Sequence, residues 1–151
     1  MGWFLAPLYD MAMKKTEAAC LSAWRATLLG QAKGRVLEIG GGTGVNLQYY
    51  PEGLERVVIT EPDPGMKKQL DHRFEELGKS EFETVDALAE ALPFEDASFD
   101  TVVSTLVFCT VDDPVQSLKE VHRILRPGGA LIFIEHVHAH DNPGRARWQR
   151  R

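Results

Sequence analysis

A predicted apolar strand in this chain, residues 35–39, leads directly into a glycine-rich turn. The turn contains Gly40, Gly41, Gly42 and Gly44. Glycine tolerates positive φ and has no Cβ, so a ligand can approach the backbone amides of such a turn. A second apolar strand ends at Glu61, whose carboxylate is suited to accept hydrogen bonds from two ribose hydroxyls. Together the two features predict a site for a ribose-containing ligand.

The spacing of the glycines narrows the class of ligand. The dinucleotide fingerprint G-x-G-x-x-G would need glycine at position 45, and this chain has Val45. The observed G-x-G-x-G pattern suits S-adenosylmethionine, with its amino acid portion over the glycines and its ribose at Glu61. Glu38 is then placed to attract the ammonium group, directly or through water. The alternative interpretation is a tight strand-to-helix turn that binds no ligand.

Alternating helical and extended patterns predict an α/β fold with a parallel sheet and right-handed crossovers. The predicted strands lie near 35–39, 56–61, 81–86, 99–105 and 130–137. Helices are expected after the first, second and fourth strands. An N-terminal helix after Asp10 should use Leu21, Trp24 and Leu28 to pack on the sheet and cover the ligand. Ligands of open parallel sheets bind beyond the carboxyl ends of the strands, which is where the glycine turn and Glu61 fall.

Two helices have clear end signals. The helix predicted over 64–77 stops at Gly78, and its apolar stripe consists of Met66, Leu70, Phe74 and Leu77. The helix predicted over 114–125 has Asp113 as its N-cap, Pro114 at its first position and Gln116 to complete a capping box.

Further segments, in this order, resemble class I S-adenosylmethionine-dependent methyltransferases. They are Glu61-Pro62-Asp63, Leu92-Pro93-Phe94 with Ser98-Phe99-Asp100, Thr105 to Val111, and Leu125-Arg126-Pro127-Gly128-Gly129 leading into Glu135-His136-Val137. The resemblance covers roughly positions 34 to 138. It is strongest to the methyltransferase-like protein 7 group, which includes thiol methyltransferases, and extends to the methyltransferases of ubiquinone and menaquinone synthesis.

The resemblance implies a Rossmann-like, doubly wound parallel sheet of strand order 3-2-1-4-5 and S-adenosylmethionine as cofactor. The reaction it implies is in-line methyl transfer to a small-molecule acceptor, either a thiol or a lipid or quinone-type compound. The expected cofactor-binding residues are Glu38, Gly40, Gly41, Gly42, Thr43, Gly44, Asn46, Glu61, Pro62, Leu88, Ala89, Glu90 and Thr105.

One position departs from the pattern of these methyltransferases. They usually have an acidic residue four positions before the Leu of Leu-Pro-Phe, where it binds the adenine amino group. This chain has Leu88 there, and Asp86 is two residues too early. The adenine contacts are therefore expected from backbone groups around Leu88 and Ala89, or from Glu90.

Three residues near the expected acceptor side are candidates for catalysis: Thr105, Cys109 and His136. For Cys109 the pattern favours a small buried hydrophobe over a participant in catalysis, and for His136 a structural hydrogen bond and proton handling remain equal alternatives. His136, His138 and His140 would share one face of an extended strand. No metal site is expected, because no cysteine lies nearby and a loop is predicted by position 140.

The domain organisation is predicted as one domain over 1–151. Within it, 1–33 form a lid helix, 34–138 the cofactor-binding core and 139–151 a basic tail. The resemblance implies two further strands, 6 and 7, beside strand five, and no segment of this chain supplies them. We therefore expect a truncated chain, or a strand-five edge covered by a second copy of the chain or by the Arg-rich tail.

Composition limits the function classes. The 151 residues are 44% hydrophobic and 26% charged, which is typical of a soluble globular domain. A net charge of −5 argues against a nucleic acid partner. The apolar opening over 3–9 is too short to span a bilayer and lacks the basic leader of a signal peptide. Cys20 and Cys109 are far apart, which indicates reduced thiols and a cytoplasmic location.

Two other functions remain open at the level of sequence. A nicotinamide-dependent oxidoreductase would use the same strand, turn and acid, but Val45 and the Leu-Pro-Phe and Pro-Gly-Gly motifs argue against it. A non-catalytic cofactor-binding or assembly protein would explain the missing substrate-side strands.

Overall fold

The computed structural model describes residues 21–78 and 82–136. In chain order the elements are α1 (Ser22–Leu29), β1 (Arg35–Ile39), a 3₁₀ helix (Val45–Tyr49), β2 (Arg56–Thr60), α2 (Pro64–Leu77), β3 (Phe82–Val85), β4 (Phe99–Thr105), α3 (Pro114–Ile124) and β5 (Leu125–Ile134). All five strands pair in parallel in the order β3-β2-β1-β4-β5. The predicted fold class and strand order are confirmed.

The three central strands of the sheet, β2, β1 and β4, are buried on both faces. Successive residues of a strand point to opposite sides, so Val36 packs in one apolar cluster and Leu37 in the other. Val57 and Val58 of β2 divide in the same way. Burial of each such side chain contributes about 1.5–3 kcal/mol. Burial on two faces explains why the strands are continuous apolar runs rather than alternating ones.

Predicted element bounds agree with the structure at β1, β4 and α2, lie within one residue at β2, β3 and α3, and differ more at two other places. After β1 the structure has only a five-residue 3₁₀ helix. Its N-cap is Gly44, with φ 84°, and its C-cap is Tyr50, which is buried. Strand β5 begins at Leu125, earlier than predicted, so the Pro-Gly-Gly segment is part of the strand. The register of β5 with β4 is irregular between Phe99 and Thr101.

The helix α1 packs through a face that matches the predicted one only in part. Leu21 is buried and Leu28 packs half-buried against the core as expected, but Trp24 is 53% exposed. The buried positions of the helix are Arg25 and Leu29. Arg25 can occupy a buried position because its guanidinium donates to oxygens inside the protein. A pattern search that counts only apolar residues passes over such a position.

The N-cap predicted at Asp113 is present, Asp63 is an N-cap that was not predicted, and the predicted capping box is not completed. Asp63 accepts from the amides of Gly65 and Met66 at the start of α2. Asp113 accepts from the amide of Gln116 at the start of α3. The return bond fails because the Asp113 amide donates to the Glu90 carboxylate and the Gln116 side chain donates to the Glu90 carbonyl. In α2, Leu77 lies in the last turn and is exposed, so the predicted stripe ends at Phe74.

Within the described residues, β5 pairs with β4 alone, and Phe133 of β5 is 57% exposed. A second copy of the chain or another segment covering this edge remains a prediction. The lid and tail boundaries also remain predictions, because 1–20 and 137–151 lie outside the described residues.

Candidate cofactor site

A cavity of about 600 Å³ lies at the carboxyl ends of β1, β2 and β4. Its volume is in the range of small-molecule and cofactor sites. Eleven of the predicted cofactor-binding residues line it: Gly40, Gly41, Gly42, Thr43, Asn46, Glu61, Pro62, Leu88, Ala89, Glu90 and Thr105. Glu38 and Gly44 were also predicted but are not part of the lining. The cavity wall further includes Arg25, which the sequence reasoning missed.

The glycines of the turn meet different requirements. A Cβ on Gly41 would collide with Cγ2 of Ile59, so this glycine lets the turn pack against β2. Gly42 has φ 57°, and the nearest atom to a Cβ there would be Met66 Sδ at 4.0 Å. Gly42 therefore leaves open space on the cavity side. This bare stretch of backbone is the feature that a ligand in close contact with the turn needs.

Glu61 is fixed beside the glycine turn. Its side chain is 5% exposed, its Oε2 accepts from the Gly42 amide at 2.8 Å, and its Oε1 accepts from the Asp63 amide at 2.9 Å. Burial raises the pKa of this carboxyl, and the two amide bonds partly oppose that rise. A carboxylate has about four acceptor positions, so each oxygen can still accept a hydroxyl. The geometry fits a ribose with two hydroxyl groups.

Glu38 lies deeper than the sequence interpretation requires. It is fully buried, its Oε1 accepts from Asn46 Nδ2 at 2.6 Å, and its Oε2 accepts from the Tyr50 hydroxyl at 2.7 Å. Burial raises the pKa of Glu38, although both bonds favour the ionised form. Asn46 lines the cavity and Glu38 does not. Direct contact between Glu38 and a ligand ammonium does not match this arrangement, because the Glu38 oxygens face Asn46 and Tyr50.

Arg25 joins α1 to the ends of β1 and β4. Its Nη1 donates to Asn46 Oδ1 at 2.6 Å and to Thr105 Oγ1 at 2.9 Å. Asn46 Nδ2 also donates to Thr105 Oγ1, at 3.0 Å. Arg25 as a residue is 5% exposed and forms part of the cavity wall. The signal that could have revealed it is its spacing, since Leu21, Arg25 and Leu29 recur every four residues on one helix face.

A further wall of the cavity comes from the segment after β3. Leu88 is 58% exposed and lines the cavity, while Ala89 is buried. The Glu90 carboxylate accepts from the amides of Asp112 and Asp113 at 2.9 and 3.2 Å. Glu90 therefore ties this segment to the start of α3. Both amides bond Glu90 Oε1, and Leu88, Ala89 and Glu90 all line the cavity, so the adenine contacts remain a prediction.

Cys109 and His136 lie together but outside the cavity lining. Cys109 Sγ is 3.7 Å from His136 Nδ1, and both residues are exposed. Burial of the sulfur and the charge of Glu135 raise the pKa of the Cys109 thiol, which disfavours a thiolate. The interpretation of Cys109 as a buried hydrophobe is wrong.

The loop after β4 is held in place by Glu135. Glu135 Oε1 accepts from the Ser104 hydroxyl and from the amides of Val107 and Phe108. These bonds fix the part of the loop that forms the cavity wall at Val107.

His138 and His140 lie outside the described residues. In the described ranges, no group of three or more His, Cys, Asp or Glu side chains is placed to hold a metal ion. No helix of residues 21–78 or 82–136 is long and apolar enough to cross a membrane.

Two of the sequence motifs lie away from the cavity and stabilise the fold. Arg123 of α3 donates to the carbonyls of Leu92 and Phe94 at 2.9 and 2.6 Å, and pairs with Glu120. This contact fixes the Leu-Pro-Phe segment. Asp100 accepts from the Arg35 amide and from Arg126, both at 2.8 Å, which fixes the starts of β1 and β4.

A family model for a methyltransferase domain matches residues 37–133, and the chain belongs to this family. With the strand order and the glycine turn, this makes it a class I S-adenosylmethionine-dependent methyltransferase domain. S-adenosylmethionine is the cofactor that this membership implies, as the sequence predicted.

Individual relatives refine the comparison. The chain is 38% identical over 135 residues to human thiol S-methyltransferase TMT1B, covering 88% of this chain and 55% of that protein. It is 42% identical over 116 residues to human thiol S-methyltransferase TMT1A, covering 76% and 47%. A demethylmenaquinone methyltransferase of Renibacterium salmoninarum is 31% identical, covering 93% and 59%. The chain thus spans about half the length of these relatives.

Solved structures agree on the fold. A methyltransferase dependent on S-adenosylmethionine from Thermotoga maritima superposes with a TM-score of 0.69 at 29% identity, covering 98% of this chain and 65% of that one. The YcgJ protein of Bacillus subtilis superposes with a TM-score of 0.73 at 24% identity, covering 85% and 54%. The second likeness concerns the fold alone.

Proposed function

We propose that this chain binds S-adenosylmethionine in the cavity and transfers its methyl group to a small-molecule thiol. Cofactor binding is supported chiefly by Glu61. Its buried carboxylate accepts hydrogen bonds from the Gly42 and Asp63 amides, and there is open space at the Cβ position of Gly42. Glu61 would accept the ribose hydroxyls, the turn 40–42 would contact the amino acid portion, and the backbone at 88–89 would contact the adenine.

When bound, S-adenosylmethionine supplies an electrophilic methyl group that an acceptor takes by direct in-line attack. The work of the chain is to hold donor and acceptor in contact and to exclude water, which is worth about 7–11 kcal/mol in the best intramolecular cases. Thr105 would position rather than deprotonate, because its oxygen already accepts two hydrogen bonds. Cys109 belongs to the loop that contains Val107 and Thr110 of the cavity wall, and His136 lies next to Cys109, so we assign both to the acceptor side.

The choice of a thiol acceptor is supported by the human relatives at 38% and 42% identity, which are named thiol S-methyltransferases. The demethylmenaquinone methyltransferase, at 31%, supports a quinone-type acceptor as the second candidate. A thiol needs less help from a general base than an alcohol does, since its pKa of about 8.5 leaves a few per cent of reactive thiolate at neutral pH.

The experiment that tests the proposal is transfer of labelled methyl from S-adenosylmethionine to matched thiol, amine and quinone-precursor acceptors. We expect label in the thiol, and no label when Glu61→Ala replaces the wild type at a cofactor level near its dissociation constant. Label only in the quinone precursor would replace the thiol assignment. Cofactor binding with no transfer to any acceptor would favour a non-catalytic binding protein, and no binding at millimolar cofactor would refute the proposal.

A further inference from the structure

One residue of the cavity wall has an unusual backbone conformation. Leu106, directly after β4, has φ 62°, which lies in the left-handed region where a residue with a Cβ is strained. Among the described residues, Ala97 is the only other residue besides glycines with a positive φ. Ala97 is exposed and lies outside the cavity lining, whereas Leu106 is part of that lining. The strain at Leu106 is therefore located at the candidate site.

Hydrogen bonds on both sides hold Leu106 in this conformation. Its amide donates to the Ile134 carbonyl at 2.7 Å, and its carbonyl accepts from the Cys109 thiol at a sulfur–oxygen distance of 3.6 Å. The next amide, that of Val107, donates to Glu135 Oε1 at 2.9 Å. A strained residue persists where its surroundings fix the backbone in this way. The end of β5 thus determines the turn after β4.

The strain at Leu106 is not offset by packing of this leucine in the core. The next two residues, Val107 and Phe108, pack against the apolar cluster on one face of the sheet. Leu106 belongs to neither apolar cluster of the described residues, although it is half-buried and lines the cavity. A large apolar residue that is strained and adds nothing to the core points to a role in the site.

Leu106 is nearer to the reacting end of the proposed cofactor than to its base. Val107 lies over the glycine turn, because a Cβ on Gly40 would be 2.8 Å from Val107 Cγ2. This turn is the proposed contact of the amino acid portion, and the sulfonium carries its methyl group between that portion and the ribose. The residue next to Val107 on the cavity wall is therefore placed to meet the molecule that takes the methyl group.

We propose that Leu106 is a specificity-determining residue, which contacts the methyl acceptor and limits its size next to the attacking atom. The left-handed backbone places the leucine in the cavity wall, and its apolar side chain is the surface against which the acceptor packs. The inference rests on the proposed function, since it assumes that the cavity brings an acceptor to S-adenosylmethionine. It applies to a thiol and to a quinone-type acceptor alike.

The test measures kcat/KM for methyl transfer by the full chain to two isomeric thiols, n-butanethiol and the branched sec-butanethiol. Leu106→Ala should move the ratio of the two values toward the branched thiol by about 10-fold or more, because it removes three carbons from an apolar pocket. The intrinsic reactivities of the thiols cancel when this ratio is compared between variant and wild type. Leu106→Met nearly conserves the side-chain volume and should keep the ratio within about threefold. Calorimetry should find the affinity of both variants for S-adenosylmethionine within about threefold of the wild type, because the nucleoside contacts remain.

Three further variants control for general effects of the substitutions. Val115→Ala shortens an apolar side chain that is 63% exposed and outside the cavity lining, and it should leave the ratio unchanged. Ala97→Gly relieves the other positive φ, so it should raise the urea midpoint and leave the ratio unchanged. Leu106→Gly should have a higher midpoint than Leu106→Ala, since it removes the strain, and it should show the same shift in the ratio. If Leu106→Ala does not fold, Leu106→Gly decides.

The outcomes separate this inference from the proposed function. An unchanged ratio in Leu106→Ala and Leu106→Gly, or an equal loss for both thiols, would overturn the role of Leu106 in specificity while methyl transfer stands. A fall in cofactor affinity of more than about 10-fold with an unchanged ratio would also overturn it, and would assign Leu106 to the cofactor. If the wild type labels only the quinone precursor, the ratio is measured with that precursor and a counterpart that carries one more ring methyl group, and the same criteria apply. Transfer to no acceptor would overturn the proposed function and this inference with it.

Discussion

The two ends of the parallel sheet use similar polar residues in different ways. At the amino end, Asp100 pairs with Arg126 and with the Arg35 amide, and its pKa is lowered, chiefly by the amide bond. At the carboxyl end, Glu61 keeps spare acceptor positions and burial raises its pKa. The comparison indicates that a family motif belongs to the binding site where its polar groups keep hydrogen-bonding positions that the protein does not use. Where the protein uses all of these positions, the motif stabilises the fold.

The largest expected effect separates the two ends directly. Glu61→Ala should weaken S-adenosylmethionine binding about 10- to 100-fold, because two hydrogen bonds to a charged group are lost. Asp100→Ala should leave the affinity within about twofold, and it should lower the free energy of unfolding by about 1–3 kcal/mol. Calorimetry measures the affinity and urea unfolding the stability. Unchanged binding in Glu61→Ala would mean that the ribose assignment is wrong.

Arg123 provides a second test at the amino end of the sheet. Arg123→Ala leaves the carbonyls of Leu92 and Phe94 without their donor and should lower the free energy of unfolding by about 2 kcal/mol. Urea unfolding checks this value. The cofactor affinity of the folded variant should stay near that of the wild type. A loss of affinity greater than about fivefold would show that the Leu-Pro-Phe segment contributes to the site and would break the comparison.

The glycines allow a matched pair of variants. Gly42 and Gly78 have similar positive φ values of 57° and 63°, and a Cβ on Gly78 would meet no atom within 4 Å. Alanine at either position should cost about 1–2 kcal/mol of stability from backbone strain. Only Gly42→Ala should also weaken cofactor binding, since its methyl enters the cavity side. Equal cofactor affinities in the two folded variants would argue against close contact between the ligand and the turn.

The sequence predicted the fold better than it predicted the polar network of the site. Strand order and most element bounds follow from apolar runs and helix caps, which are local signals such as Asp113 before α3. Glu61 and the glycine turn could be found because their spacing is local to one βαβ unit. Local spacing could have placed Arg25 on the buried face of α1, but it could not have revealed the partners Asn46 and Thr105, which are 21 and 80 residues distant and meet Arg25 only in the folded chain. The burial of Glu38 could not be predicted either, because Asn46 and Tyr50 cover its carboxylate only after the short 3₁₀ helix forms.

The smallest effect is a pH dependence that should differ between the two ends. The ribose hydroxyls require ionised Glu61, whose pKa is raised above its usual 4.5, so cofactor affinity should begin to fall at a higher pH than an ordinary glutamate would produce. Asp100 has a lowered pKa, so the stability it contributes is present above its unfolded value of 3.8 and is lost only as the pH falls through the lower folded value. On acidification, calorimetry should therefore detect weaker binding before urea unfolding detects the loss of this contribution. Glu61→Gln should remove the acid limb of the binding curve, and Asp100→Asn should leave that limb in place. An acid limb that persists in Glu61→Gln would assign the titration to another group and would remove the contrast in protonation between the two ends.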